Sequence, residues 1–312
     1  MENREKNFVS AVIYVHNAEK RIEQFLNAVI AVLEENFEHS EIICVNDSSS
    51  DDSLSLIKKA SRKAMSASVS VVNMSYYHGL ETAMNAGIDL SIGDFVFEFD
   101  NTVLDFSRDI IMKLYRHSLQ GYDIVSAVPD RTEKLTSRFF YRIFDRFTDQ
   151  SYEMHTESFR ILSRRVINRI SSINRTILYR KAVYASQGLK TDALKYEIVA
   201  SDDRNKDKAE NRYRSGLAID SLILFTEMGY RFSITMTVLM MLMTAFMVVY
   251  SIAIFVTQTP VAGWTTTILF LSVAFFGLFG ILTIIIKYLQ LIVNLVFKRK
   301  HYCYEGIEKL TK

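Results

Sequence analysis

A short apolar run that ends on a carboxylate constrains this chain more than any other feature. Phe95 to Phe99 follows a Gly93-Asp94 turn and runs directly into Asp100, the pattern of a buried parallel strand that delivers a carboxylate to the carboxyl edge of a sheet. That edge is where open α/β sheets bind their ligands. The segment before it, His78 to Asp94, places Leu80, Ala83, Met84, Gly87 and Ile88 on one helical face, so a helix packs against the strand it feeds.

Upstream, the same alternation repeats. Phe8 to Val15 reads as a buried strand with a turn at His16-Asn17-Ala18, and Glu19 to Phe37 has helical periodicity through Ile22, Phe25, Leu26, Val29, Val32 and Leu33. Glu41 to Val45 is a second strand, leading into Asn46 to Ser53, and Ser53 to Ala64 is a helix with Ser and Asp residues at hand to cap it. Ser68 to Asn73 is the third strand. Beyond Asp100, a helix over Ser107 to Ser118, strands over Tyr122 to Val128 and Phe159 to Leu162, and a helix over Arg164 to Ser172 continue the pattern. Strand and helix in strict turn imply an α/β, Rossmann-like parallel sheet. No Gly-x-Gly-x-x-Gly loop is present, so phosphate binding through a glycine-rich turn is not expected.

The last third has a different character. Within 312 residues, Ile234 to Val256 and Thr265 to Ile286 are uncharged apolar runs, each at or above the roughly 20 residues that span a bilayer. Pro260 and Gly263 sit in the short link between them, so the two runs are expected to form a transmembrane hairpin. Arg231 before the first run, and Lys287 with Lys298 to His301 after the second, place both termini in the cytoplasm by the positive-inside bias. The charged N-terminus has no apolar stretch of the signal-peptide kind. Two cysteines, Cys44 and Cys303, fit a reducing compartment. A net charge of +2 gives no argument for a nucleic-acid partner.

Three connecting stretches matter for function. Arg131 to Phe147 is a basic, aromatic helix with Phe139, Phe140, Ile143, Phe144 and Phe147 against Arg138, Arg142 and Arg146, suited to a membrane surface or to an amphipathic place in the core. Ser201 to Arg214 is dense in alternating charge and reads as a loop, either a linker or a lid. Tyr288 to Lys300 is expected along the cytoplasmic interface. The expected division is a domain over 1–215, an interfacial helix over 216–232, the hairpin over 233–287, and a juxtamembrane helix with a cytoplasmic tail over 288–312.

The order of these features, with Val45 to Asp51 (VNDSSSD), HGLETAMNAG, GDFVFEFD and Phe159 to Val166 (FRILSRRV) ahead of two spans, resembles family 2 glycosyltransferases. The resemblance is to the branch that moves a sugar from a nucleotide-sugar to polyprenyl phosphate, and it covers Phe8 to Tyr302. It implies a GT-A type nucleotide-sugar domain, a membrane-bound enzyme with two spans, a bacterial inner membrane, and a homo-oligomer built through the spans.

The resemblance also implies roles for residues. Asp47 would pair with the base, while Tyr14, His16 and Asn17 would form the first strand-end turn. Asp100 would be the first aspartate of the family's Asp-x-Asp motif, holding Mg²⁺ or Mn²⁺ against the diphosphate. Thr102 stands where the second aspartate belongs. His155 to Arg160 stands for Asp-Ala-Gly-Asp-Phe-Arg, so Ser158 replaces the expected acid, and Tyr196-Glu197-Ile198 lacks the arginine of Tyr-x-Arg. Asp100, Glu157 and Ser158 are therefore the catalytic candidates. Asp100 with His155, joined by Asp105 or Glu157, is the candidate for a changed metal site, and a metal-independent site covered by cations of the Ser201 to Arg214 loop is the alternative. Arg131, Ser137 and Arg138 fall where the family binds the lipid phosphate. A catalytically inactive homologue that binds nucleotide or serves as a scaffold is the second functional expectation.

Overall fold

The computed structural model describes residues 4–130, 157–173, 180–186, 188–199, 264–297 and 302–311, with positions 235, 236, 239, 240, 242, 243 and 246. Two compact units divide the chain: residues 1–217 with 299–312, and residues 218–298.

The first unit is built on one eight-stranded sheet. Strands β1 (Val9–Val15), β2 (Ser40–Asn46), β3 (Ser68–Met74) and β4 (Phe95–Phe99) are joined by helices α1 (Ile22–Asn36), α2 (Ser53–Ser61) and α3 (Leu80–Leu90). Then follow α4 (Asp109–Ser118), β5 (Ile124–Pro129), β6 (Phe159–Ser163), α5 (Arg164–Ile173), α6 (Arg180–Ser186) and β7 (Thr191–Tyr196). A last strand, β8 (Tyr304–Lys309), comes from the far end of the chain. The order across the sheet is β7-β5-β6-β4-β1-β2-β3-β8. β1 pairs in parallel with both β2 and β4, and β2 with β3, so four strands end on one edge. β6 runs antiparallel between β4 and β5.

Alternation along β4 explains its central place. Phe97 and Phe99 point to one face, and Glu98 and Asp100 belong to the other. On the apolar face Phe99 meets Phe25 of α1 at 5.3 Å between ring centroids, edge to face, and Phe159 of β6 at 4.9 Å, while Phe106 lies 4.5 Å from Phe159. Helix α3 lies on the opposite face, tightly enough that glycine is required. A Cβ at Gly87 would fall 2.6 Å from Val45 Cγ2 and also inside contact of Val12 Cγ1.

Two features differ from the sequence expectation. Residues 188–199, to which the sequence analysis gives no element, supply β7 at one sheet edge. The tail, expected as cytoplasmic chain after an interfacial helix, returns as β8 and pairs antiparallel with β3. Its anchors are specific: Ser75 N–H donates to the Cys303 carbonyl at 3.0 Å, Val69 N–H to Thr311 Oγ1 at 2.8 Å, and the Tyr302 hydroxyl to Asp89 at 2.6 Å. Covering β3 in this way moves the open edge of the sheet onto a short strand with three charged residues. Both cysteines are free, and burial pushes the Cys44 thiol up to about 12, which leaves it inert.

In the second unit helix α7 (Trp264–Phe297) holds the second apolar run and continues past its end, so that most of the segment from Tyr288 onward extends this helix. A Cβ on Gly277 would collide with Met240, so the missing side chain lets the two apolar segments approach. The hairpin is not borne out as expected. Among the described residues no helix is long and apolar enough to cross a membrane, although Thr265 to Ile286 is uncharged throughout. Most of the first run lies outside the described residues, as do the Arg131 to Phe147 helix and the Ser201 to Arg214 loop.

Gly87→Ala is expected to lower the stability of the sheet unit by about 1–3 kcal/mol through overpacking against Val12 and Val45, outweighing alanine's better helix propensity. Thermal unfolding of the purified protein followed by circular dichroism checks this; an unchanged or raised midpoint would contradict the packing.

Candidate active site

The parallel strands bring four turns to one edge: 16–19 after β1, 46–53 after β2, 75–79 after β3, and Asp100 after β4. The first three are laced together. Asp47 is fully buried and accepts hydrogen bonds from the Tyr14 hydroxyl at 3.0 Å, the His78 N–H at 2.8 Å and the Gly79 N–H at 2.9 Å. His16 Nδ1 lies 2.7 Å from the Asp47 carbonyl oxygen. Asn17 Oδ1 accepts from Ser50 N–H at 2.9 Å, and Ser53 Oγ accepts from Ala18 N–H at 2.8 Å. Asn17 and Ser48 hold left-handed backbone, with φ of 46° and 53°, conformations that β-carbon residues adopt only when the surroundings impose them.

The structure thus brings together Tyr14, His16, Asn17 and Asp47. Asp47 is turned into the protein as the pin of this loop cluster. The surface beside it is aromatic: Tyr77 is 44% exposed with its ring 4.7 Å from that of His16, and Tyr76 stacks on His78 at 4.0 Å. The sequence reading did not single out these tyrosines. Their signal is an adjacent aromatic pair in a turn at the binding edge of the sheet.

Around Asp100 lies a buried network of charge. Its two carboxylate oxygens are both engaged, Oδ2 by Arg160 Nη2 at 2.6 Å and Oδ1 by Arg180 Nη2 at 2.7 Å. These are charge-assisted lengths. Arg160 and Arg180 are 1% and 0% exposed. Arg160 faces Glu98 at 3.3 Å and Glu157 at 3.0 Å, and Arg180 faces Glu81 at 2.8 Å and Glu98 at 3.2 Å. Tyr184 on α6 donates to Glu98 at 2.6 Å. The register explains part of this, since Glu98 and Arg160 are direct partners across β4 and β6.

The network splits two neighbouring carboxyls. Burial pushes Asp100 up, but the guanidinium groups of Arg180 and Arg160 and the charge of Lys181 outweigh it and hold it well below the usual carboxylate range. For Glu98 burial prevails over the same two arginines, and its carboxyl stands above its ordinary value. Arg160 and Arg180 are held firmly protonated, because the surrounding carboxylates overcome the burial that would discharge them.

A second buried chain runs beside it. The Ser158 and Tyr196 hydroxyls are 2.6 Å apart, and the Tyr196 hydroxyl donates to Asp105 at 2.9 Å. Thr102 is 3% exposed. Of the expected catalytic residues, Glu157 and Asp100 meet through Arg160, whereas the Ser158 hydroxyl turns to Tyr196. His155, Arg131, Ser137 and Arg138 lie outside the described residues.

These donors do not fit a divalent cation, which needs several open carboxylate or carbonyl oxygens. Asp100 is bound on both oxygens by arginine, Glu157 faces Arg160, and Asp105 is bonded to Tyr196. Among the described residues no group of three or more His, Cys, Asp or Glu could hold a metal. Of the expected Asp100 and His155 metal site, Asp100 faces two arginines and His155 lies outside the described residues. Arg180 was missed in the sequence, and Arg160 was seen only as part of a motif. The available signal was a lone arginine in the apolar strand FRILS facing a lone glutamate in FVFEF.

A parallel sheet with carboxylates at its switch edge and an antiparallel β6 beside the central strand defines an α/β fold of the GT-A type. The chain belongs to glycosyl transferase family 2, whose model matches residues 10–184. It is similar to an uncharacterised glycosyltransferase of Synechocystis, 30% identical over 58% of this chain and 58% of that one. A prophage bactoprenol glucosyl transferase homologue of Escherichia coli is 28% identical, over 63% of this chain and 66% of that relative. The chain thus spans about three fifths to two thirds of the length of these relatives. Among solved structures, glucosyl-3-phosphoglycerate synthase from Mycobacterium tuberculosis, in complex with Mn²⁺, UDP and phosphoglyceric acid, superposes with a TM-score of 0.52 at 14% identity, over 70% of this chain and 78% of that one. That likeness is one of fold.

Replacing Asp100 with Asn strands two buried guanidiniums and is expected to reduce stability by about 3–5 kcal/mol at neutral pH. A carboxyl depressed in the fold stabilises above the unfolded carboxylate range near pH 4 and loses that contribution as pH falls through the folded value. The gap between wild type and Asp100→Asn should therefore narrow below about pH 4. Denaturant unfolding of both proteins across that range measures it; a gap independent of pH would contradict an ionised, doubly paired Asp100.

Proposed function

We propose that this chain transfers a sugar from a nucleotide-sugar to polyprenyl phosphate at a membrane surface. The observation that carries the reading is the laced edge around Asp47 and Asp100 within a family 2 sheet. Supporting it, the E. coli relative is named for bactoprenol and glucosyl transfer, and a relative in Pseudomonas syringae is named an undecaprenyl-phosphate 4-deoxy-4-formamido-L-arabinose transferase. In the reaction the bond between the anomeric carbon and the donor's β-phosphate oxygen breaks. An oxygen of the acceptor phosphate forms the new bond to that carbon, and the nucleoside diphosphate leaves with the electron pair. The acceptor is already anionic, so it requires cations to position it more than a base.

In this reading the base lies at Tyr77 and His16, beside the turns that Asp47 pins, and Asn17 meets the ribose or the phosphates. Arg131, Ser137 and Arg138 receive the lipid phosphate. A membrane location is supported by α7, where Leu271, Phe275, Leu278, Leu282, Ile285, Leu289 and Ile292 are each 42% to 55% exposed. Large apolar side chains in such a row call for lipid or another apolar surface. We place the apolar segments from Ile234 to Ile286 at the membrane, with both termini on the cytoplasmic side, and a homo-oligomer joined through them.

One observation favours a second reading, a nucleotide-binding homologue without catalysis: Asp100 is closed by two arginines while Thr102 and Ser158 replace acids. Incubation of the detergent-solubilised protein with polyprenyl phosphate and a panel of labelled UDP- and GDP-sugars separates the two. Lipid-linked label is the expected result, and nucleotide binding with no label in any combination would select the second reading. Stacking on an aromatic ring is worth about 1–3 kcal/mol per base, so Tyr77→Ala should weaken nucleotide binding roughly tenfold or more. Calorimetric titration with UDP and GDP reads this, and an unchanged affinity would remove the base from Tyr77.

A further inference from the structure

The expected cation is missing its ligands for a physical reason, and the same reason points to what replaces it. We propose that this site handles a nucleoside diphosphate without a divalent cation: Arg160 and Arg180 occupy Asp100 where a cation would stand, and Lys181 is the positive charge that meets the diphosphate. The inference rests on the donor reading above and adds to it the chemistry of the phosphate subsite.

The first step is the state of Asp100. Both of its oxygens accept from guanidinium nitrogens, at 2.6 Å and 2.7 Å. For a cation to bind there, an arginine would have to leave. Each arginine is buried against carboxylates, Glu157 and Glu98 for Arg160 and Glu81 and Glu98 for Arg180, so that Glu98 is shared between them. Expelling one would strand buried charges of both signs, the most unfavourable change such a network can undergo. A metal would gain little in exchange. Thr102 contributes a buried hydroxyl in place of a carboxylate, and the Ser158 hydroxyl is taken up with Tyr196.

The second step is which cation remains for a ligand. Arg160 and Arg180 are sealed from solvent and face carboxylates of the network, so they set the charge of Asp100 without reaching outward. Lys181 follows Arg180, whose guanidinium holds Asp100, on α6 and is partly exposed. Among the described residues no hydrogen bond or ion pair engages its ammonium. A flexible stem with a point charge suits a diphosphate whose position changes as the sugar departs. With Asp100 already neutralised, a polyanion approaches this edge without the repulsion that a bare carboxylate would impose.

The test uses the full chain in detergent and two readouts. Mn²⁺ titration followed by the electron paramagnetic resonance of the free ion is expected to show no stoichiometric uptake by the protein. Calorimetry with UDP and GDP is expected to give the same affinity in EDTA as in Mn²⁺. Lys181→Met should weaken both diphosphates by about tenfold, the scale of one charge-assisted hydrogen bond, with uridine or guanosine binding and the melting temperature unchanged. Mn²⁺ uptake by the wild type that Asp100→Asn abolishes would overturn the cation-free site while leaving the donor reading in place. Full diphosphate affinity in Lys181→Met would overturn the role of Lys181. If neither nucleotide binds under any condition, the Lys181 assignment and the donor reading fall together, and the Mn²⁺ titration still decides the state of Asp100.

Discussion

Two guanidinium groups hold four carboxylates out of water, and the central part of the sheet is arranged around that fact. Glu98 and Asp100 leave the polar face of β4, where isolated buried charge would be untenable. Arg160 meets them from β6 and Arg180 from α6, and Glu81 on α3 and Glu157 ahead of β6 complete the set. Four separate parts of the chain are therefore tied to one electrostatic centre. On the opposite face of the same strands, Phe25, Phe99, Phe106 and Phe159 interlock. Pairing of β4 with β6 is thus specified twice, by charge on one face and by aromatic packing on the other.

Beside that rigid centre, the nucleotide edge is held by hydrogen bonds. The carboxylate of Asp47 orders the turn after β3 through two backbone N–H groups, and the left-handed residues Asn17 and Ser48 sit in loops that cross-link each other. The tail reaches this cluster too, since Cys303 N–H donates to His78 Nε2 at 3.1 Å. A strand from the end of the chain consequently supports a turn that belongs to the binding edge. The two exposed tyrosines, Tyr76 and Tyr77, are carried by that turn.

Much of the first half was legible because local signals and tertiary needs agree there. The runs at Phe8 to Val15, Glu41 to Val45, Ser68 to Asn73 and Phe95 to Phe99 are continuous enough to be strands wherever they are buried, and the helices between them carry clear apolar faces. β7 was not legible: Thr191 to Tyr196 has little apolar character and is a strand because β5 offers it a parallel edge. β8, with Gly306 and three charged residues, is likewise an edge strand made by its neighbour. The site was legible as positions and illegible as connections. Asp47, Asp100, Glu157 and Ser158 could each be singled out, but no local pattern announces that Asp100 is shared by Arg160 and Arg180, 60 and 80 residues away.

By itself the sequence determined the strands and helices from β1 to α5 and the apolar runs of the last third. These follow from periodicity and side-chain chemistry, which act over a few residues. Only the tertiary structure decided what Asp100 does. Whether a carboxylate binds a cation or an arginine depends on which charge the fold places against it, and Coulomb energy in a buried site is set by distances of a few ångströms between residues far apart in the chain.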